Sequence, residues 1–117
     1  MKLKPDELLK LLSDATRLRS LMLLVEEGEL CVCELTHALY EIQPKISRHL
    51  AALRDSNIVR FRRSGQWMYY RINPELPPWA LAVLKATLAG MKRDKRYLND
   101  TRKLKSMLNR PENRHCA

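Results

Sequence analysis

Cys31-Val32-Cys33 is the part of this chain best equipped for chemistry, and a polar, basic segment beginning Gln43-Pro44-Lys45-Ile46-Ser47-Arg48-His49 follows closely behind it. Thiolates are soft donors that take up thiophilic metals and metalloids or oxidise. The third cysteine is Cys116. An odd number of cysteines with two of them only two apart does not make a disulfide framework, and a reducing cytosol keeps such groups as thiols. Free cysteine often packs as a small hydrophobe. A two-residue step turns ~200° around a helix, however, so both side chains cannot face one core. The same step would hold the sulfurs apart, whereas bonds of ~2.3 Å to a shared centre need them within roughly 4 Å. With both cysteines in the helix over 31–40, ligand binding must unwind or prevent its first turn. A helix N-terminus favours the thiolate and the flanking Glu29 and Glu34 oppose it.

The elements that position this pair are legible from periodicity. Residues 5–12 carry Leu8, Leu9, Leu11 and Leu12. Ser13 or Asp14 caps a second helix over 15–27, which Gly28 stops. A short helix over 31–40 has Leu35, Ala38 and Leu39 on one face, and Tyr40-Glu41-Ile42 is a link short enough for a helix-turn-helix. Gln43 serves as the next N-cap with Pro44 at the first helical position. Ile46, Leu50 and Leu53 then form one buried stripe, leaving Lys45, Ser47, Arg48, Ala51 and Ala52 around the open face and His49 on its flank. His49 reads as a hydrogen-bonded interfacial histidine in preference to a metal ligand.

After Asn57 the period becomes two, over 58–63 and 66–72, with Ser64-Gly65 between: a β-hairpin. Val59 and Phe61 are expected to pack while Arg60 and Arg62 face solvent. Asn73-Pro74-Glu75-Leu76-Pro77-Pro78 interrupts the pattern, and a helix over 79–89 with Gly90 as its stop is apolar over more than one face, which calls for a partner helix. The expected fold is mainly α: a winged helix-turn-helix of about five core helices and a two-stranded hairpin over residues 1–90, then a basic, loosely held helical extension over 91–117.

Charge is distributed unevenly. Residues 1–42 hold 5 basic and 8 acidic side chains, residues 43–71 hold 7 and 1, and residues 91–117 hold 9 and 3, within a net charge of +9. A basic middle and tail suit a polyanion. On a nucleic-acid reading, Arg60, Arg62 and Arg63 contact phosphates, and Gln43, Lys45, Ser47, Arg48 and His49 reach base edges in the major groove. No apolar run of ~18 residues and no signal-peptide pattern occurs, which leads us to expect a soluble, cytoplasmic protein without membrane contact. With three glycines, no phosphate-cradling loop and no Cys-x-x-Cys, an enzyme is not expected. A sequence-indifferent DNA-packing protein would share the charge but bind operator and random DNA alike.

Three segments carry a resemblance. Glu29-Leu30-Cys31-Val32-Cys33-Glu34-Leu35, Gln43-Pro44-Lys45-Ile46-Ser47-Arg48-His49-Leu50 and Ser64-Gly65-Gln66-Trp67-Met68-Tyr69-Tyr70-Arg71 closely resemble the arsenic-responsive repressors of the ArsR/SmtB family, over about residues 6–90. That resemblance implies a homodimeric winged-helix repressor that holds an operator without a cofactor and leaves it when arsenite or antimonite binds. It makes Cys31 and Cys33 the inducer ligands, the helix from Gln43 the DNA reader, and residues 62–66, Gln66 included, the wing tip. The first and last core helices would form the dimer, through Leu8, Leu12, Trp79, Val83, Leu84 and Leu88. The operator would be an imperfect palindrome with half-sites ~10 bp, or a small multiple, apart. The chain departs from the pattern at Thr36, where related proteins often carry a third cysteine. Cys116 is then the candidate third ligand, with His37 nearby but poorly suited to arsenic. Cadmium and lead sensors of the family add cysteines before the motif and zinc sensors carry ligands on the last core helix; this chain has neither, although a cadmium or redox switch on the same thiols is the nearest rival.

Overall fold

The computed structural model describes residues 2–111. Helix α1 (Pro5–Leu12) begins with proline at its first turn and acidic Asp6 and Glu7 against the positive helix end, the Glu7 carboxylate accepting from the Lys4 N–H at 3.2 Å. Asp14 caps α2 (Ala15–Glu27) by accepting the Arg17 N–H at 3.0 Å. Gly28 ends α2 at φ 93°, a left-handed conformation that a side chain would strain.

The chain next forms a short strand that the sequence reading did not anticipate. β1 (Glu29–Cys31) pairs antiparallel with β3 (Trp67–Ile72), which in turn pairs with β2 (Val59–Ser64), so the expected two-stranded wing is part of a three-stranded sheet ordered β1-β3-β2. Cys31 lies opposite Tyr69. Helix α3 (Val32–Leu39) starts only after Cys31 and ends at Tyr40, a non-glycine residue at φ 55°, ψ 50° that turns the chain toward α4 (Gln43–Asp55). The N-cap of α4 is Ile42, not Gln43, and it offers no side-chain acceptor. Ile46, Leu50 and Leu53 are fully buried, each contributing roughly 1.5–3 kcal/mol, and this stripe fixes which face of α4 stays open. Helix-turn-helix and hairpin together make a winged helix.

Ser64 pairs with Trp67 across a two-residue turn in which Gly65 adopts φ 61°, as a tight hairpin requires. Phe61 departs from expectation: it is 47% exposed, stacked against Tyr70 at 5.9 Å between centroids with the Arg54 guanidinium 5.4 Å from its ring centroid. Tyr70 of the hairpin and the Arg54 side chain of α4 cover it only partly.

Helix α5 (Pro78–Met91) runs through Gly90 and packs on α2. The following segment is not a loosely held extension. Asp94 caps α6 (Lys95–Ser106) by accepting the N–H groups of Arg96 and Tyr97 at 2.8 and 3.3 Å, and Tyr97, Asp100 and Leu104 bury one stripe against α2 and α3. The buried Asp100 carboxylate takes both Nε and Nη2 of Arg19, at 2.8 and 2.7 Å, while Arg19 also donates to the Leu39 carbonyl at 3.3 Å. Counting charges along residues 91–108 could not reveal that one of the acids has a cationic partner on α2.

Candidate functional site

Cys31 is the N-cap of α3, at φ −76° and ψ 152°, rather than its first helical residue. The rotation that would separate the two side chains therefore does not apply. Cys31 and Cys33 Sγ lie 2.9 Å apart, both free thiols, with Cys31 buried and Cys33 partly open. The expectation that a shared ligand must unwind α3 is overturned: β1 keeps Cys31 extended, so the sulfurs converge before anything binds. A capping box holds that geometry, the Cys31 N–H donating to Glu34 Oε1 at 2.7 Å.

Glu34 is fully buried and its other oxygen accepts from Arg110 Nε at 2.6 Å. The segment after α6 is thus tied to the base of the cysteine loop. Thr36, in the position of the absent third cysteine, donates its hydroxyl to the Cys33 carbonyl at 2.8 Å.

The hydrogen bond from Cys33 lowers the Cys31 thiol to about 7, against burial and the negative charge of Glu34. The same contact, then burial and Cys31 itself, pushes Cys33 upward. Both effects favour ionisation of Cys31 ahead of Cys33.

The sulfurs open into a cleft of about 550 Å³ that is also lined by Gln43 and Ser47 of α4 and by Arg63, Gln66, Trp67 and Met68 of the wing. Sequence reasoning placed the cysteines beside the basic helix; the structure makes them part of the same hollow. Proximity of Arg63, Trp67 and Met68 to the thiols had no sequence signal, because it depends on β1 pairing with β3.

Elsewhere on the basic surface, Gln43 donates to Ser47 Oγ at 2.7 Å, Lys45 pairs with Glu41 at 2.8 Å, and Arg48 is exposed. His49 turns toward α2, with Nδ1 3.4 Å from Arg17 Nη1 and Nε2 3.9 Å from Asp14. Burial holds its imidazole below the ordinary value, against the pull of Asp14. Arg60 pairs with Glu75, and Arg62 makes a bidentate contact to Glu29 at 2.8 and 2.9 Å with its guanidinium 4.5 Å from the centroid of the Tyr69 ring. Arg63 has no ion pair among the described residues.

His37 is exposed and lines a different hollow from the sulfurs, and no group of three or more His, Cys, Asp or Glu able to hold a metal occurs among the described residues. Cys116 lies outside them. Of the residues expected at a dimer contact, Leu8, Leu12, Leu84 and Leu88 are buried within the protomer, while Trp79 is 38% exposed and Val83 half-buried. Leu9, not among them, is 58% exposed on α1.

Residues 14–60 match the family model described as bacterial regulatory protein, arsR family. The chain is 50% identical to the arsenic resistance transcriptional regulator ArsR2 of Pseudomonas putida, over 92% of this chain and 91% of that protein. It is 51% identical to the arsenical resistance operon repressor of Escherichia coli K12, over 70% of each chain. The crystal structure of the AntR antimony-specific transcriptional repressor superposes with a TM-score of 0.62 at 32% identity, covering 79% of this chain and 86% of that one.

Proposed function

From the premise that this chain belongs to the ArsR family of winged-helix transcriptional regulators, we propose that it is a metalloid-responsive repressor, a homodimer that leaves its operator when arsenite or antimonite binds Cys31 and Cys33. The observation that carries the reading is the 2.9 Å sulfur pair opening into the cleft formed by Gln43, Ser47, Arg63 and Gln66. Sulfurs already within roughly 4 Å accept a centre with bonds of ~2.3 Å without refolding α3. Relatives named for arsenical resistance and a structural neighbour named for antimony support the choice of metalloid.

DNA reading falls to the open face of α4. Gln43, Lys45, Ser47 and Arg48 meet base edges, with His49 on the flank, while Arg60, Arg62, Arg63 and Gln66 grip the backbone. Arg62 and Arg60 must exchange Glu29 and Glu75 for phosphates, whereas Arg63 stands ready. A metalloid on the sulfurs occupies the hollow between the reading helix and the wing. It favours the state in which Gln43, Ser47 and Arg63 are displaced from DNA, and release follows from that differential affinity.

Cys116 supplies the third sulfur. Arg110 is anchored at Glu34, and the six residues from there to Cys116 reach up to ~20 Å. Dimerisation uses α1 and α5, where Leu9, Trp79 and Val83 leave apolar surface. No described helix is long and apolar enough to cross a membrane, and we assign the repressor to the cytoplasm, where DNA and reduced thiols coexist.

The test is fluorescence anisotropy of a labelled duplex from the promoter of the chain's own gene, titrated with arsenite, cadmium and peroxide under reducing conditions for the metals. Arsenite at near-stoichiometric amounts should release the DNA at constant salt. Release by peroxide alone would replace the metalloid reading with a redox switch, and release by cadmium alone with a cadmium sensor.

A further inference from the structure

A second hollow, of about 740 Å³, lies on the other side of Thr36, between the helix-turn-helix link and α6. Its walls include Tyr40 and Ile42 from the link and Lys103 and Ser106 from α6. Lys103 Nζ sits 4.2 Å from the centroid of the Tyr40 ring. Ile42 is the N-cap of α4, so this part of α6 stands beside the end of the helix that enters the groove. Tyr40 and Ile42 are 84% and 69% exposed, and the one carboxylate here, Glu41, is neutralised by Lys45 at 2.8 Å. Lys103 is the one lysine or arginine among the described residues that line this hollow.

The placement is rigid. Tyr97, Asp100 and Leu104 are buried, and the bidentate Arg19 contact to Asp100 fixes the turn immediately before Lys103. At 100° per residue Ser106 lies about 60° from Lys103 and Arg102 about 100°, whereas Lys105 lies about 160° away, toward the opposite side of α6. A cation held on a fixed helix beside an uncapped helix N-terminus is suited to a phosphate.

We propose that α6 is a third DNA-contacting element, its Lys103 face binding the phosphate backbone that flanks the bases read by α4. The partner is duplex DNA, and the contact lengthens the footprint beyond the recognition helix and wing. This rests on the operator-binding reading above. It does not require the thiols.

The experiment is the salt dependence of operator affinity for wild-type protein and for Lys103→Gln, Lys103→Arg and Lys105→Gln, with folding checked by circular dichroism. Each lost phosphate contact flattens the log–log slope by about 0.9, so Lys103→Gln should flatten it by nearly 2 in a dimer that uses both copies. Lys103→Arg and Lys105→Gln should retain the wild-type slope. An unchanged slope in Lys103→Gln, or equal flattening in Lys105→Gln, overturns the proposal. Arg48→Ala separates the two claims: if it weakens binding while Lys103→Gln is silent, operator reading stands and the α6 contact falls. Equal affinity of wild-type protein for operator and random duplex would remove both.

Discussion

Cys31→Ser is expected to abolish the high-affinity arsenite site while leaving operator binding close to wild type. Serine is a favoured N-cap residue, and the Cys31 backbone N–H that donates to Glu34 is unaffected by the substitution, so α3 should start where it does now. What disappears is one of the three proposed sulfur donors, and one half of the close pair. Losing a chelating sulfur should weaken arsenite by roughly 10²–10⁴, the scale by which linked contacts exceed separate ones. Trp67 lines the same cleft as the sulfurs, and the other tryptophan is Trp79 on α5. Intrinsic tryptophan fluorescence therefore reads binding through Trp67, against the background of Trp79. Cys33→Ser should lose a similar amount. Wild-type arsenite affinity in both variants would refute the assignment of the pair.

A second large effect is expected from Arg19→Ala. Asp100 is fully buried and the Arg19 side chain is 16% exposed, so the substitution strands a carboxylate away from water. Breaking such a pair costs about 3–5 kcal/mol, a large fraction of the stability of a domain this size. Urea unfolding followed by circular dichroism measures it. Because Arg19 also holds the Leu39 carbonyl, the loss should loosen α6 from the end of α3. Arg19→Met combined with Asp100→Leu should recover most of the stability, since no charge is then left buried. A cost below about 1 kcal/mol for Arg19→Ala would mean that the pair behaves as a solvent-exposed one.

Helix α4 was readable because it buries one face, and the hairpin because Ser64-Gly65 separates two runs of strand-forming residues. Ile46, Leu50 and Leu53 recur at helical spacing and all reach the core, and Gly65 marks the turn with the positive φ it requires. Cys31 was misplaced because its neighbours satisfy a helical pattern as well as a strand. Glu34 three residues after Cys31 is the spacing of a capping box, but cysteine in the serine position disguises it. The strand assignment depends on pairing with Tyr69 and Tyr70, which no local pattern encodes. That single residue changes the chemistry: on a helix the sulfurs diverge, and at an N-cap they touch. α6 was hidden for a related reason. Its buried stripe of Tyr97, Asp100 and Leu104 contains a carboxylate that looks solvated until Arg19 is brought to it from α2. Arg110 at Glu34 is likewise a contact across most of the chain.

The reading of one cleft shared by inducer and DNA has a thermodynamic consequence. If arsenite on Cys31 and Cys33 disfavours the DNA-bound arrangement of Gln43, Ser47 and Arg63, then operator DNA must weaken arsenite by the same factor. The decisive measurement is arsenite affinity, read from intrinsic tryptophan fluorescence of the wild-type protein, with and without saturating operator duplex at fixed salt. Apparent arsenite affinity should be weaker with DNA, by the factor with which arsenite lowers operator affinity. Equal arsenite affinities in the two states would contradict a cleft shared by inducer and DNA.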